Sequence, residues 1–104
     1  MRYTYTDDFI VNSLGPDELE GYETQAIGEV DKTGITDPFY VENLVICRTM
    51  MLAARAQIEA DGMAEKYKVY SSEYDRYRKE AAASASGGST SAPESISVAK
   101  VVRG

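Results

Sequence analysis

Residues 37–85 constrain the fold more than any other stretch of this 104-residue chain, because two long helical patterns meet there at a single glycine. Pro38 suits the first position of a helix, where its missing N–H would have no partner in any case. The sequence predicts one helix from residue 38 to about 61 and a second from 63 to about 85. Gly62 lies between them and favours the backbone conformation in which the chain reverses. This arrangement is a long antiparallel helical hairpin.

Each predicted helix carries one apolar or aromatic face, as expected of helices that pack against a neighbour. The apolar residues of the first helix recur at helical rather than strand intervals. They are Phe39, Leu44, Val45, Met51, Leu52 and Ile58. The second helix has four tyrosines that are three, four and three residues apart, so that they share one continuous face. They are Tyr67, Tyr70, Tyr74 and Tyr77.

Two shorter helices are predicted ahead of the hairpin. Thr6 is expected to cap the first, whose opening turn is acidic and therefore favourable at the positive end of the helix dipole. Pro16 begins the second. Its apolar side is formed by Leu19, Tyr22, Ile27 and Val30. Gly21 and Gly28 fall inside this helix, where each costs roughly 1 kcal/mol relative to alanine, and we expect close packing at both positions.

The composition changes abruptly after residue 85. Residues 84–93 are rich in serine and glycine, which is typical of a flexible linker. Residues 95–103 are rich in β-branched side chains and predict a short strand that has no partner in a helical chain, so we expect it to pair with an edge on another protein. The predicted partner-binding residues are Ile96, Val98, Lys100, Val101, Val102 and Arg103. The predicted organisation is a helical domain over residues 1–85 and a linker with an anchoring arm over residues 86–104.

The charge of the chain is acidic and unevenly distributed. The net charge is −6, which argues against a nucleic-acid binder that depends on phosphate contacts. Residues 1–42 contain ten acidic and two basic side chains, whereas residues 43–104 contain seven acidic and nine basic ones. The acidic front of one copy can therefore face the basic back of the next, in a head-to-tail contact of the kind that closes into rings.

Membrane and secretory signals are not found in the sequence. No run of 18 apolar residues is present, and the first residues lack the apolar core of a signal peptide. Cys47 is the only cysteine and lies on the apolar side of the predicted long helix, where a buried, structural role is expected. These features predict a cytoplasmic setting.

The sequence offers no set of residues for catalysis or for metal binding. It contains no histidine, which removes histidine acid–base catalysis, histidine-activated nucleophiles and histidine metal sites together. The pairs Asp7-Asp8 and Asp17-Glu18 are alternatives for a divalent-cation site, but charge at helix starts explains them better. We therefore predict a protein that is not an enzyme and that has no cofactor and no metal.

The tyrosines of the second helix lie among basic residues, and three interpretations remain open. Interleaved aromatic and basic side chains can stack on single-stranded nucleic acid. They can equally pack against a neighbouring helix with their hydroxyl groups in water. Tyrosine and arginine are also enriched at the centres of subunit interfaces. The candidate interface residues are Tyr67, Tyr70, Tyr74, Tyr77, Arg76 and Arg78.

Residues 38–80 resemble the head-to-tail connector, or adaptor, proteins of tailed bacteriophages. In that family an alanine-rich apolar helix is followed by a short turn and a helix rich in lysine, tyrosine and glutamate. The residues that carry the resemblance are Ala53, Ala54, Ala56 and Ala60 before the turn and Tyr67, Tyr70, Tyr74 and Tyr77 after it. The Gly/Ser spacer departs from the family's pattern.

The resemblance implies a structural protein of the virion neck that is assembled in the host cytoplasm. Such a protein forms a ring, of about twelve copies in this family, between the portal and the next tail or neck component. The ring extends the channel through which DNA passes without sequence-specific binding. In that family a C-terminal arm often reaches the portal protein, which would suit residues 96–103 as an added strand.

Two other functions are compatible with the sequence. One is a small acidic binding or regulatory module that acts as a monomer or a dimer. The other is a nucleic-acid accessory protein that uses the tyrosine–arginine face. The expected fold is the same in each case: a small all-α domain built on the long helical hairpin, with an extended C-terminal arm.

Overall fold

A computed structural model describes residues 2–87, and its regular secondary structure is entirely α-helical. The helices are α1 (Asp8–Val11), α2 (Pro16–Asp31), α3 (Pro38–Ala56) and α4 (Met63–Gly87). The prediction of an all-α domain is confirmed for this part of the chain. The predicted strand and the arm residues 96–103 lie outside the described residues.

The starts of the helices follow local capping chemistry. The side chain of Asp37 accepts a hydrogen bond from the Phe39 N–H at 2.9 Å, directly before Pro38 begins α3. The cap of α1 is Asp7 rather than the predicted Thr6. Its carboxylate accepts the Ile10 N–H at 3.3 Å, and its carbonyl accepts the first helical hydrogen bond. Aspartate is preferred over threonine as an N-cap residue, in agreement with this shift by one residue.

Helix α3 lies at the centre of the molecule and packs against both α2 and α4. The beginning of α3 lies beside the later part of α4, where the Phe39 and Tyr77 ring centroids are 6.1 Å apart. The end of α3 shares a buried cluster with Met63, the first residue of α4. Helices α2 and α4 each pack mainly against α3 and make few close contacts with each other.

Most of the buried apolar residues in the described part of the chain fall into two clusters. One contains Ile10, Leu19, Met50, Ala53, Ala54 and Met63, and the other contains Ala26, Val30, Leu44 and Val45. Two predicted apolar positions, Phe39 and Ile58, are 58% and 44% exposed. Ile58 lies beyond the end of α3, whereas Phe39 lies in its first turn and contacts the Tyr77 ring of α4 with only part of its surface.

Helix α3 ends at residue 56, five residues before the predicted end. The backbone leaves the helical conformation at Gln57, and tighter turns follow, with the N–H of Ile58 bonded to the Arg55 carbonyl and that of Ala60 to the Gln57 carbonyl. Gly62 has a φ of 87°, as predicted for the reversal. Helix α4 extends two residues beyond the predicted end, to residue 87.

The expected close packing at Gly21 and Gly28 is wrong. A Cβ atom added at either position meets nothing within 4 Å. The buried residues of α2 lie on another face of the helix, which is the face that contacts α3. They are Leu19, Glu23, Ala26 and Val30. The two glycines are therefore on the exposed side of α2.

Alanine at Gly21 or Gly28 should stabilise the protein. Each substitution removes the backbone freedom of glycine from the unfolded chain and should raise the free energy of unfolding by about 0.5–1 kcal/mol in urea titrations followed by circular dichroism. Gly62→Ala is the contrasting variant, because its positive φ and the Phe9 ring atom 3.3 Å from the added Cβ should cost about 1–2 kcal/mol. A loss of stability in Gly28→Ala would contradict the exposed position of this face.

Candidate interaction surfaces

The tyrosine face of α4 is turned towards the inside of the chain. Tyr67 and Tyr70 pack against the first core cluster, and Tyr74 and Tyr77 pack against the second. All four side chains are partly buried. These contacts agree with the interpretation as helix packing. A role of the same residues between subunits stays a prediction and would use the exposed edges of the rings.

Tyr70 ties the N-terminal segment to α4 through Asp7. The phenol donates a hydrogen bond to Asp7 Oδ2 at 2.7 Å, and Lys66 Nζ lies 3.0 Å from the same oxygen. The Asp7 side chain is only 8% exposed. Burial raises the pKa of this carboxyl, but the hydrogen bonds from Tyr70 and Lys66 outweigh burial and leave the pKa lowered. Burial and the Asp7 charge both raise the pKa of Tyr70, so the phenol stays protonated.

Tyr77 belongs to a surface group of three aromatic rings. Its ring centroid lies 6.5 Å from that of Tyr40, and Phe39 and Tyr40 are 5.2 Å apart, all in edge-on geometry. The Arg76 guanidinium lies 4.5 Å from the Tyr77 ring and pairs with Glu80 at 3.1 Å in its own helix. Arg76 is thus engaged within the chain, although it is exposed.

A groove lies between the α2–α3 connection and the last part of α4. Its volume is about 650 Å³. It is lined by Thr33, Gly34, Ile35, Thr36, Asp37, Pro38, Tyr40, Arg78, Ala81, Ala82 and Ser84. Of the candidate interface residues in the described part of the chain, Arg78 is the one that lines this groove. The groove was not predictable because its two walls, residues 33–40 and 78–84, are far apart in the chain.

Glu23 is a buried carboxylate whose role the sequence did not reveal. It is 3% exposed and accepts the backbone N–H groups of Arg2 and Tyr3 at 2.8 and 3.0 Å. It also accepts the Tyr5 hydroxyl at 2.7 Å, and the same hydroxyl lies 3.3 Å from Thr49 Oγ1 on α3. This one side chain fixes the N-terminal segment to α2. Its helical spacing was the sequence feature that indicated burial, because Glu23 lies four residues after Leu19 and three before Ala26 on the buried face of α2.

The acceptor role of Glu23 lowers its pKa. Burial raises the pKa, but the hydrogen bonds from the Arg2 N–H, the Tyr5 hydroxyl and the Tyr3 N–H outweigh burial. For Glu23 and Asp7 the folded pKa therefore lies below the ordinary values of 4.5 and 3.8. Both groups contribute stability that is complete above the ordinary pKa and is lost as pH falls through the folded pKa.

The free energy of unfolding should be nearly constant from about pH 6 to pH 8 and should fall below about pH 4.5, because the unfolded chain then binds more protons than the folded one. Urea titrations across this range measure the effect. Glu23→Gln should flatten the acid limb, whereas Glu20→Gln, on the exposed side of α2, should leave it unchanged. An identical acid limb in Glu23→Gln would contradict the proposed linkage.

Cys47 is 4% exposed, as expected for a structural thiol. Burial, together with the nearby Glu73 charge, raises the pKa of the thiol from 9.0 to about 11. Alkylation by iodoacetamide at pH 8 should therefore be at least about 100-fold slower in the native protein than in urea. The reason is that a pKa two units higher lowers the fraction of thiolate by about that factor. Equal rates in the two states would show that this part of α3 opens freely.

Within residues 2–87, no cluster of three or more potential metal-ligating side chains is present, and no helix is long and apolar enough to cross a membrane. Comparison with family models, with curated proteins and with solved structures finds no match to this chain.

Proposed function

We propose that this protein is a structural adaptor subunit of the head–tail connector of a tailed bacteriophage. In this proposal α3 and α4 form an antiparallel hairpin that is the scaffold of the subunit, and copies associate head-to-tail into a ring in the virion neck. The ring extends the DNA channel below the portal and presents a surface to the next tail component.

The observation that carries the proposal is the separation of charge across the helices. Helix α2 contains six acidic residues and no basic one, whereas α4 contains five basic and four acidic residues. Both helices pack mainly against α3 and make few close contacts with each other. A molecule with an acidic layer on one side and a mildly basic layer on another is complementary to a second copy of itself in a heterologous, ring-forming contact.

The exposed side chains support this charge match. Asp17, Glu20 and Asp31 are exposed on α2, and Lys68 and Lys79 are exposed on α4. Solvent-exposed pairs are individually weak, about 0–1 kcal/mol each. Charge matching of this kind therefore determines which surface of one copy faces which surface of the next copy. The exposed edges of the tyrosine face, beside Arg76 and Arg78, would then supply the apolar part of the contact.

The C-terminal arm is assigned to the portal. Its β-branched residues, Ile96 to Val102, would add a strand to an exposed sheet edge, where main-chain hydrogen bonds give affinity and alternate side chains give specificity. Removal of residues 88–104 leaves α4 intact, because this helix ends at residue 87. The truncated protein should keep its helical circular dichroism but lose binding to a portal ring in a pull-down or biolayer experiment.

A matched control is the full-length protein with Ser89→Ala and Ser91→Ala, which changes the spacer and leaves the arm residues in place. It should bind like the natural sequence. Portal binding by the truncated protein at unchanged affinity would overturn the role of the arm.

A small acidic binding module, acting as a monomer or a dimer, is the second candidate. The groove beside Arg78 and the exposed ring of Phe39 favour it, because both offer a surface for a partner. Light scattering separates the two functions. A small species that persists with the portal ring present would favour the binding module.

A further inference from the structure

The groove between the α2–α3 connection and the end of α4 has no occupant among the described residues. Its volume of about 650 Å³ lies in the range of binding pockets, and its lining includes the apolar residues Ile35, Pro38 and Ala81. A site of this size suits a few apolar side chains of an extended segment and is too small for a folded domain.

We propose that the occupant is the chain's own C-terminal segment, residues 95–103. This inference uses the arm identified under the proposed function but does not require a portal. The arm then has two alternative docking sites. It covers the groove of its own subunit before assembly, and it leaves the groove when a sheet edge on the portal becomes available.

The point at which the described chain ends favours this occupant. Ser84 lines the groove, and α4 ends three residues later, about 4.5 Å further along the helix axis. Residues 88–94 then connect to the segment. A random-coil spacer of seven residues has an r.m.s. span of about 15 Å and a maximum reach of about 24 Å. The segment therefore starts close to the groove of its own subunit.

The short spacer also favours docking in the groove of the same subunit over docking in the groove of a neighbour. A short linker gives the tethered segment an effective concentration in the millimolar range. A second copy reaches that concentration only in a concentrated solution or in an assembled ring. Weak intrinsic affinity is therefore enough for the segment to occupy its own groove.

The side-chain chemistry of the segment also fits the groove. The groove lining contains one acidic residue, Asp37, and one basic residue, Arg78. Residues 95–103 contain two basic residues, Lys100 and Arg103, and no acidic one, so that one of these charges can pair with Asp37. Ile96 and Val98 alternate with serines, so that one side of an extended segment is apolar and can face Ile35 and Ala81.

Paramagnetic relaxation enhancement tests the inference on the full-length protein. A nitroxide is attached at Ser97→Cys in a Cys47→Ala background, and backbone amide intensities are compared before and after reduction of the nitroxide. Amides of Gly34, Ile35, Thr36 and Arg78 should lose most of their intensity. The Gly62 amide should keep its intensity, because α4 places it about 30 Å from the groove.

The control is the same labelled protein with Ile96→Asp and Val98→Asp, in which the groove amides should recover their intensity. Mixing labelled unenriched protein with unlabelled enriched protein separates the same subunit from a neighbour. The groove amides should lose less intensity in the mixture than in the sample of labelled, enriched protein alone. Equal loss in the two samples would overturn docking within one subunit. Unaffected groove amides, or equal loss at Gly62, would overturn the inference altogether.

The outcome is independent of ring formation. If the groove amides lose intensity but no ring forms, docking of the segment in the groove is supported and the connector function is contradicted. If a ring forms but the groove amides keep their intensity, the connector function is supported and docking in the groove is contradicted.

Discussion

Leu44→Ala should lower the free energy of unfolding by about 2–5 kcal/mol, the largest effect that we expect from a single substitution in this chain. Leu44 is 0% exposed and packs with Ala26, Val30 and Val45, so it joins α2 to α3 where the two helices support each other. The alanine variant loses the transfer free energy of the missing atoms and leaves a cavity that the helices can fill only in part.

Urea titrations of the natural sequence and the variant, followed by circular dichroism, measure this loss. Small domains are stable by about 5–15 kcal/mol in total, so the variant should unfold at a clearly lower urea concentration. Ile58→Ala is the control, because Ile58 is 44% exposed and lies beyond α3. Its effect should stay within about 0.5 kcal/mol. Similar losses in the two variants would contradict the assignment of the second core cluster.

Glu23→Ala should be the second most damaging change, with a loss of about 2–4 kcal/mol. It removes the shared acceptor of two backbone N–H groups and of the Tyr5 hydroxyl. Water can reach Arg2, which is exposed, but the Tyr5 hydroxyl lies against Thr49, which is buried, and would be left with a poorer partner. The N-terminal segment should then detach from α2.

Hydrogen exchange gives this second prediction a local readout. The amides of Arg2 and Tyr3 should exchange much faster in Glu23→Ala than in the natural sequence, while amides in the middle of α4 should change only with global stability. Glu20→Ala is the matched control, because Glu20 is exposed on the same helix. Protected Arg2 and Tyr3 amides in Glu23→Ala would show that another group holds the N-terminal segment.

The features that were predictable from the sequence are those with local causes. Pro38 and Pro16 at the starts of their helices and the positive φ of Gly62 each depend on residues within a few positions of one another. The tyrosine face of α4 followed from helical periodicity alone. The end of α3 was missed because no glycine or proline marks it before Gly62, and tight turns replaced the last predicted helical residues.

The features that were not predictable join residues distant in the sequence. The Tyr70–Asp7 hydrogen bond spans 63 residues, and the Tyr5–Thr49 contact spans 44. In the sequence Glu23 cannot be distinguished from the other acidic residues of α2, because its role depends on the first residues of the chain, which the fold places next to it. The exposed positions of Gly21 and Gly28 depend in the same way on which face of α2 meets α3.

Native mass spectrometry of the full-length protein, alone and with a portal ring, tests the central claim most directly. Head-to-tail association predicts a closed oligomer of one copy number, formed either by the protein alone or on the portal, and weakened by salt because exposed charges guide the contact. A monomer or dimer under every condition would contradict the connector function and leave a small helical binding module.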